Sequence, residues 1–140
     1  MDERRVFKTR YFARWMRKTD LSDTALCWAV QEMAAGLIDA DLGGHVLKKR
    51  VGLPHRGKRG ALRTLVASRR EGRWFFLYGF EKQEQANISH RELDALQAIA
   101  HDLLGLMPEA LDVAVKRGEL EEICHDHPKH VSESDSGGYP

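Results

Sequence analysis

His45–Phe80, HVLKKRVGLPHRGKRGALRTLVASRREGRWFFLYGF, decides how the rest of the chain is read. Three apolar and basic segments are separated by a Gly-rich segment, Gly52–Gly60, and by a Glu71-Gly72 break. Alternating stretches divided by turn residues predict consecutive antiparallel strands. Within the stretch stand Lys48, Lys49, Arg50, Arg56, Lys58, Arg59, Arg63, Arg69, Arg70 and Arg73, against the single acid Glu71. Like charges on neighbouring strands repel. A sheet that keeps them points to a phosphate-rich partner.

Alternation assigns the side chains to faces. In the first strand Val46, Lys48 and Arg50 share one face, while Leu47, Lys49 and Val51 share the other. In the second, Arg63, Leu65, Ala67 and Arg69 oppose Leu62, Thr64 and Val66. In the third, Trp74, Phe76, Tyr78 and Phe80 oppose Phe75, Leu77 and Gly79. A strand apolar on both faces is central and covered twice.

Outward from the sheet, Arg5–Lys8 reads as a short opening strand. Thr9 caps a first helix with Tyr11, Phe12, Trp15 and Met16 on one stripe. Ser22 caps a second, reaching about Gly36, with Leu26, Ala29, Val30, Met33 and Leu37 inward and Cys27 and Trp28 packed beside them. Ile38–Gly44 reads as a loop. Ser89 and Glu92 form the sequence signature of a capping box for a third helix, and Pro108 opens a short fourth ended by Gly118. The chain turns polar from about Glu119, so a single domain over 1–122 and a flexible tail over 123–140 are expected.

The 140 residues suit one domain with a real core. Net charge is only +1, but it is divided unevenly. Residues 1–82 carry 18 Lys+Arg against 9 Asp+Glu, a net +9; residues 83–140 carry 4 against 12, a net −8. A basic front favours an anionic ligand there. No apolar run approaches the roughly 20 residues of a membrane span, and MDERRVFK lacks the apolar stretch of a secretory signal. Cys27 and Cys124, far apart and without a CxxC, read as two free thiols of a cytoplasmic protein.

Several chemistries are set aside. His125, His127 and His130 near Cys124 and Asp126 fall in one low-complexity segment, whereas zinc ligands converge from ordered elements. No metal or cofactor is therefore expected. GLPHRGKRG fits neither GxxxxGK[ST] nor GxGxxG and joins two strands, so no helix N-terminus follows it to receive a phosphate. No GxSxG elbow occurs. What remains is metal-free phosphodiester chemistry on RNA, which supplies its own nucleophile, the 2′-OH. Such a reaction needs a base, an acid and cations for the phosphorane. Arg suits the phosphorane because its planar fork binds two oxygens. Lys48, Arg50, Lys58, Arg63, Tyr78 and Lys82 supply groups of these types. The same residues equally suit a passive nucleic-acid-binding face.

FKTRYFARWMRK, DADLGG, LKKRV, GKRG-x-x-RTLVA, WFFLYGF-x-K and ANI, in this order and spacing, resemble the HigB-like branch of the RelE/ParE toxin superfamily. The resemblance runs from about Val6 to Glu122. It implies an α+β, RelE-like fold with an N-terminal helical hairpin on a small antiparallel sheet and C-terminal helices. It implies a cytoplasmic endoribonuclease acting on mRNA, often at the ribosome, that inhibits translation. The implied partner is a cognate antitoxin of the helix-turn-helix, HigA-like kind. Matched residue by residue, the family's K-x-R falls on Lys48 and Arg50, its loop lysine on Lys58, its phosphate arginine on Arg63, its YGF aromatic on Tyr78 and the following lysine on Lys82. Arg63, Lys58, Tyr78 and Lys82 are then the expected catalytic set, with Lys48, Lys49, Arg50, Arg56 and Arg59 holding RNA. The family's GKSGGYR stands here as Gly57-Lys58-Arg59-Gly60-Ala61-Leu62-Arg63, and an arginine common before the loop proline is Leu53. Gln83 and Ser89-His90 occupy about the places of a further arginine and a C-terminal tyrosine in the RelE branch. These departures keep a second reading open: a non-catalytic antitoxin or RNA binder, or a ParE-like inhibitor of gyrase.

Overall fold

This computed structural model describes residues 4–53, 57–82, 85 and 87–125, with the backbone alone at 57–60. Six strands and four helices follow one another as β1 (Arg5–Thr9), α1 (Arg10–Met16), α2 (Asp23–Ala34), β2 (Ala40–Asp41), β3 (Val46–Leu53), β4 (Gly57–Ser68), β5 (Arg73–Phe80), α3 (His90–Leu104), α4 (Pro108–Lys116) and β6 (Leu120–Ile123). The strands form one sheet in the order β2-β3-β4-β5-β1-β6. The fold is α+β. Its sheet departs from the antiparallel expectation at one ladder, since β1 runs parallel to β5. A parallel neighbour requires a crossover, and α1, α2 and the β2–β4 meander supply it.

The predicted caps are present. Thr9 accepts from the Phe12 N–H, Ser22 from the Ala25 N–H, and Ser89 exchanges both capping-box bonds with Glu92. Each satisfies a helix-end donor that has no partner within its own helix. Pro108 opens α4 with its fixed φ.

Both faces of the sheet are covered. Phe12, Met16, Leu26, Val30 and Met33 of α1 and α2 meet Val6, Leu47, Val51, Leu62, Val66, Trp74 and Phe76 on one side. Leu96, Ala100, Leu104 and Leu111 of α3 and α4 meet Phe7, Val46, Leu65, Ala67, Phe75 and Leu77 on the other. The two clusters explain why β5 is apolar throughout: it is roofed twice.

Four further sequence expectations are corrected. Cys27 and Cys124 are not free thiols; they are joined in a disulfide across 97 residues of chain. Trp28 is not packed beside the α2 stripe but exposed. The loop Ile38–Gly44 contributes the short strand β2, and the polar stretch after Glu119 forms β6 as far as Ile123. The alternation in EEI is too short to register as a strand until β1 offers it an edge.

α2 is fastened at both ends. Near its N-terminus the buried Lys8 of β1 reaches Asp23 at 2.8 Å and Glu121 at 3.4 Å, beside the disulfide. Near its C-terminus Glu32 meets Lys49 of β3 at 2.8 Å. The helix thus crosses the face from β1 to β3. Among the described residues no helix is long and apolar enough to cross a membrane.

Candidate nucleic-acid interface

A bulge in β5 builds this surface. Tyr78 pairs with Leu65, but the next pair along β4 is Val66 with Phe76, so Leu77 is an extra residue. Inserting one residue reverses the parity of everything beyond it. Strict alternation places Tyr78 and Phe80 with Trp74 and Phe76 under α1 and α2. Instead both lie on the α3 face, with Phe75 and Leu77. Gly79 takes the α1 side, where the Trp15 ring lies so close that no Cβ fits.

The consequence is a shared face for residues from three strands. Lys48 pairs with Leu65, which pairs with Tyr78; Arg50 pairs with Arg63, which pairs with Phe80. Directly opposed residues on one face have Cβ atoms about 5 Å apart and diagonal ones about 7–8 Å. Lys48, Arg50, Arg63 and Tyr78 therefore form one compact set. Arg50 is exposed, while Lys48, Arg63 and Tyr78 are half-buried. The Arg63 guanidinium donates to the Ala61 carbonyl at 3.3 Å. No carboxylate among the described residues pairs with Lys48, Arg50 or Arg63.

The other cations of the stretch are occupied elsewhere. Lys49 is 7% exposed on the opposite face, where its ammonium meets Glu32 at 2.8 Å and the Leu37 carbonyl at 3.0 Å. It stands apart from the other expected RNA contacts. Arg69 donates to the Leu104 carbonyl at 3.2 Å, and Arg73 to Leu106, where carbonyls at the end of α3 carry partial negative charge. Arg70 pairs with Asp41 at 3.1 Å. Four cations that look interchangeable in sequence thus serve the fold. Lys82 is exposed just past the end of β5. Arg56, Gln83, the side chains of Lys58 and Arg59, and the tail histidines beyond His125 lie outside the described residues.

Two functional candidates were not visible as such in the sequence. The Tyr78 hydroxyl lies 3.2 Å from Gln85 Oε1 and 3.3 Å from Glu92 Oε2, two acceptors for its single proton. Glu92, readable only as a capping residue, is thus also a partner of the site phenol. The Ser89 backbone N–H holds its carboxyl below the usual range, with the Ser89 hydroxyl, Tyr78 and Gln85 adding to the effect. Tyr11, readable only as part of an apolar stripe, instead stacks on Tyr78, centroids 5.9 Å apart and planes within 5°. His90 is exposed at the start of α3.

Beside Tyr78 the sheet leaves a gap. β1 ends one residue after Lys8, which pairs with Phe76, so the last residues of β5 outrun it. A groove of about 500 Å³ opens there, lined by Thr9, Arg10, Tyr11, Leu77, Tyr78, Glu92, Ala95, Leu96, Ile99 and Glu119. Its walls are largely apolar, with polar groups brought to it by Thr9, Arg10, Tyr78, Glu92 and Glu119.

The arrangement can grip phosphate with three cations and present a phenol and a carboxylate beside it. Among curated proteins none matches the chain. A family described as the RelE toxin of the RelE / RelB toxin-antitoxin system matches residues 4–123, from the residue before β1 through the last residue of β6. Six-sevenths of the sequence lies within that match, and the chain belongs to the RelE toxin family, the toxin half of a toxin-antitoxin pair with a cognate antitoxin as partner.

Proposed function

We propose that the protein is a metal-independent endoribonuclease that cleaves mRNA, at the ribosome, and so inhibits translation in the cytoplasm. The observation that carries this reading is the convergence of Lys48, Arg50, Arg63 and Tyr78 on one face, where the three cations form no ion pair among the described residues. A cationic row with a phenol beside it suits in-line attack by a 2′-OH. The 2′-oxygen bonds to phosphorus and the bond to the 5′-oxygen breaks, leaving a 2′,3′-cyclic phosphate and a 5′-hydroxyl. Arg63 stabilises the charge that builds on the phosphorane oxygens, with Arg50 opposite it. Lys48 holds the flanking backbone, joined by Lys58 and Arg59 from the start of β4 and by Arg56 just before it in sequence. Tyr78, backed by Glu92, and Lys82 serve proton transfer to and from the reacting oxygens. The HigB-like motif order supports an antitoxin of helix-turn-helix, HigA-like type.

The test is Arg63→Ala expressed at the level of the wild type, read by growth and by mapping of cut ends on mRNA with and without ribosomes. Loss of both toxicity and cuts is expected. A variant as toxic as the wild type refutes the assignment, and inhibition of supercoiling without RNA cuts identifies a gyrase inhibitor instead.

A further inference from the structure

We propose that the groove beside Tyr78 receives one unpaired base of the RNA, stacked on Tyr11 and donating N–H groups to Glu92. The inference rests on the RNA-binding reading of the cationic row and adds to it a site for sequence discrimination. Tyr11 is 58% exposed although one face of its ring lies on Tyr78, so the other face is open to a planar ligand. Ile99, 43% exposed, adds apolar surface on the opposite wall. Exposed apolar side chains gathered around a concavity mark a binding surface more often than chance exposure does. Continuity with the cationic row selects the occupant. Tyr78 belongs to both, and Arg63 is its diagonal neighbour, about 7–8 Å away. Tyr11 lies one ring stack beyond Tyr78, centroids 5.9 Å apart, so a strand with a phosphate on Arg50 and Arg63 runs on toward Tyr11. Sequence-specific recognition of RNA works through such splayed, unstacked bases held on aromatic rings and read at their edges. Glu92 lines the groove beside Tyr78 and, as a carboxylate, only accepts. Its Oε1 takes the Ser89 N–H and its Oε2 faces the Tyr78 hydroxyl, and a carboxylate oxygen accepts more than one hydrogen bond. Bases that present N–H groups, guanine above all with two side by side, match it.

The experiment measures binding rather than cleavage, so that it stands apart from the nuclease reading. A non-cleavable 2′-O-methyl oligonucleotide is scanned with single abasic positions against the wild type, Tyr11→Ala, Tyr11→Phe and Glu92→Gln. In the wild type one position should weaken binding about 5- to 150-fold when its base is removed. Tyr11→Ala should erase that penalty, and Tyr11→Phe should restore it. Glu92→Gln, which keeps a capping-box side chain, should shift which base is preferred there without changing the fold by circular dichroism. A flat abasic profile in the wild type overturns the inference while leaving the cationic row as an RNA site. A base penalty without any cleavage retains the groove and removes the nuclease. No binding at all removes both. Loss of antitoxin binding in Tyr11→Ala, with its abasic profile unchanged, makes the groove a protein-docking site and overturns the inference.

Discussion

Arg50 and Arg63 stand directly opposite each other on β3 and β4, two guanidinium groups on one face that form no ion pair among the described residues, the nearby Asp39 carboxylate accepting instead from the Arg50 backbone N–H at 2.6 Å. Opposed like charges destabilise a ladder by up to about 1 kcal/mol. Removing one should therefore stabilise the protein and disable it together. Arg63→Gln is expected to gain a few tenths to about 1 kcal/mol in urea unfolding and to lose about 10²- to 10³-fold in RNA cleavage. Loss of stability instead shows that the pair is held by something other than a missing anion.

Lys48 and Lys49 are adjacent in sequence and opposite in role. Lys49→Met should leave RNA affinity unchanged and alter stability, because it removes an ion pair and a carbonyl contact from the α2–β3 contact. Lys48→Met should keep stability within about 0.5 kcal/mol and weaken RNA binding, reducing its salt dependence by about one phosphate contact. Filter binding at several salt concentrations, paired with denaturation curves, reads both. Equal losses of affinity in the two variants contradict the face assignment.

Gly79 is required by Trp15, whose ring occupies the space a Cβ would take. Gly79→Ala should cost roughly 1–3 kcal/mol through overpacking. Combining it with Trp15→Leu should recover part of that loss, since contacting residues are not additive. Strict additivity in the double-mutant cycle means that the strain lies elsewhere.

The Cys27–Cys124 disulfide ties α2 to the end of the edge strand β6. Cross-links over long loops stabilise by about 2–4 kcal/mol. Cys27→Ala with Cys124→Ala, or wild type with reductant, should lower the melting temperature. Cleavage should survive at permissive temperature, because the bond lies on the face away from Tyr78. Identical melting with and without reductant indicates that the bond is not formed in the sample.

Glu92 gives a pH signature. Its folded carboxyl is held below its unfolded value, near pH 4.3, chiefly by the Ser89 N–H. The stability it contributes is therefore present above the unfolded value and lost as pH falls through the folded one. Unfolding curves between pH 6 and pH 2.5 should show the wild type losing more stability than Glu92→Gln in that acid range. Parallel curves exclude the capping carboxylate as the titrating group.

What the sequence by itself determined is local. Caps at Thr9, Ser22 and Ser89, most of each helical stripe and the central strands follow from side chains within a few residues of one another, and the structure keeps them, while Leu37, past the end of α2, and Tyr11 are exposed instead of turned inward. The face shared by Lys48 and Arg50 was legible too, because alternation is a property of each strand alone; that Arg63 joins them follows only from the register of β3 on β4. The tertiary structure decided the rest. Tyr78 changes faces through one extra residue, a bulge that exists only relative to the register of β4. Lys49, Arg69, Arg70 and Arg73 leave the pool of available cations because their partners, Glu32, Leu104, Asp41 and Leu106, come from other elements. The disulfide and the edge strand β6 depend in the same way on residues about a hundred positions away. Composition records how many charges a chain carries. Which of them remain open to a ligand depends on long-range pairing, and that is settled only when the sheet closes and the helices dock on it.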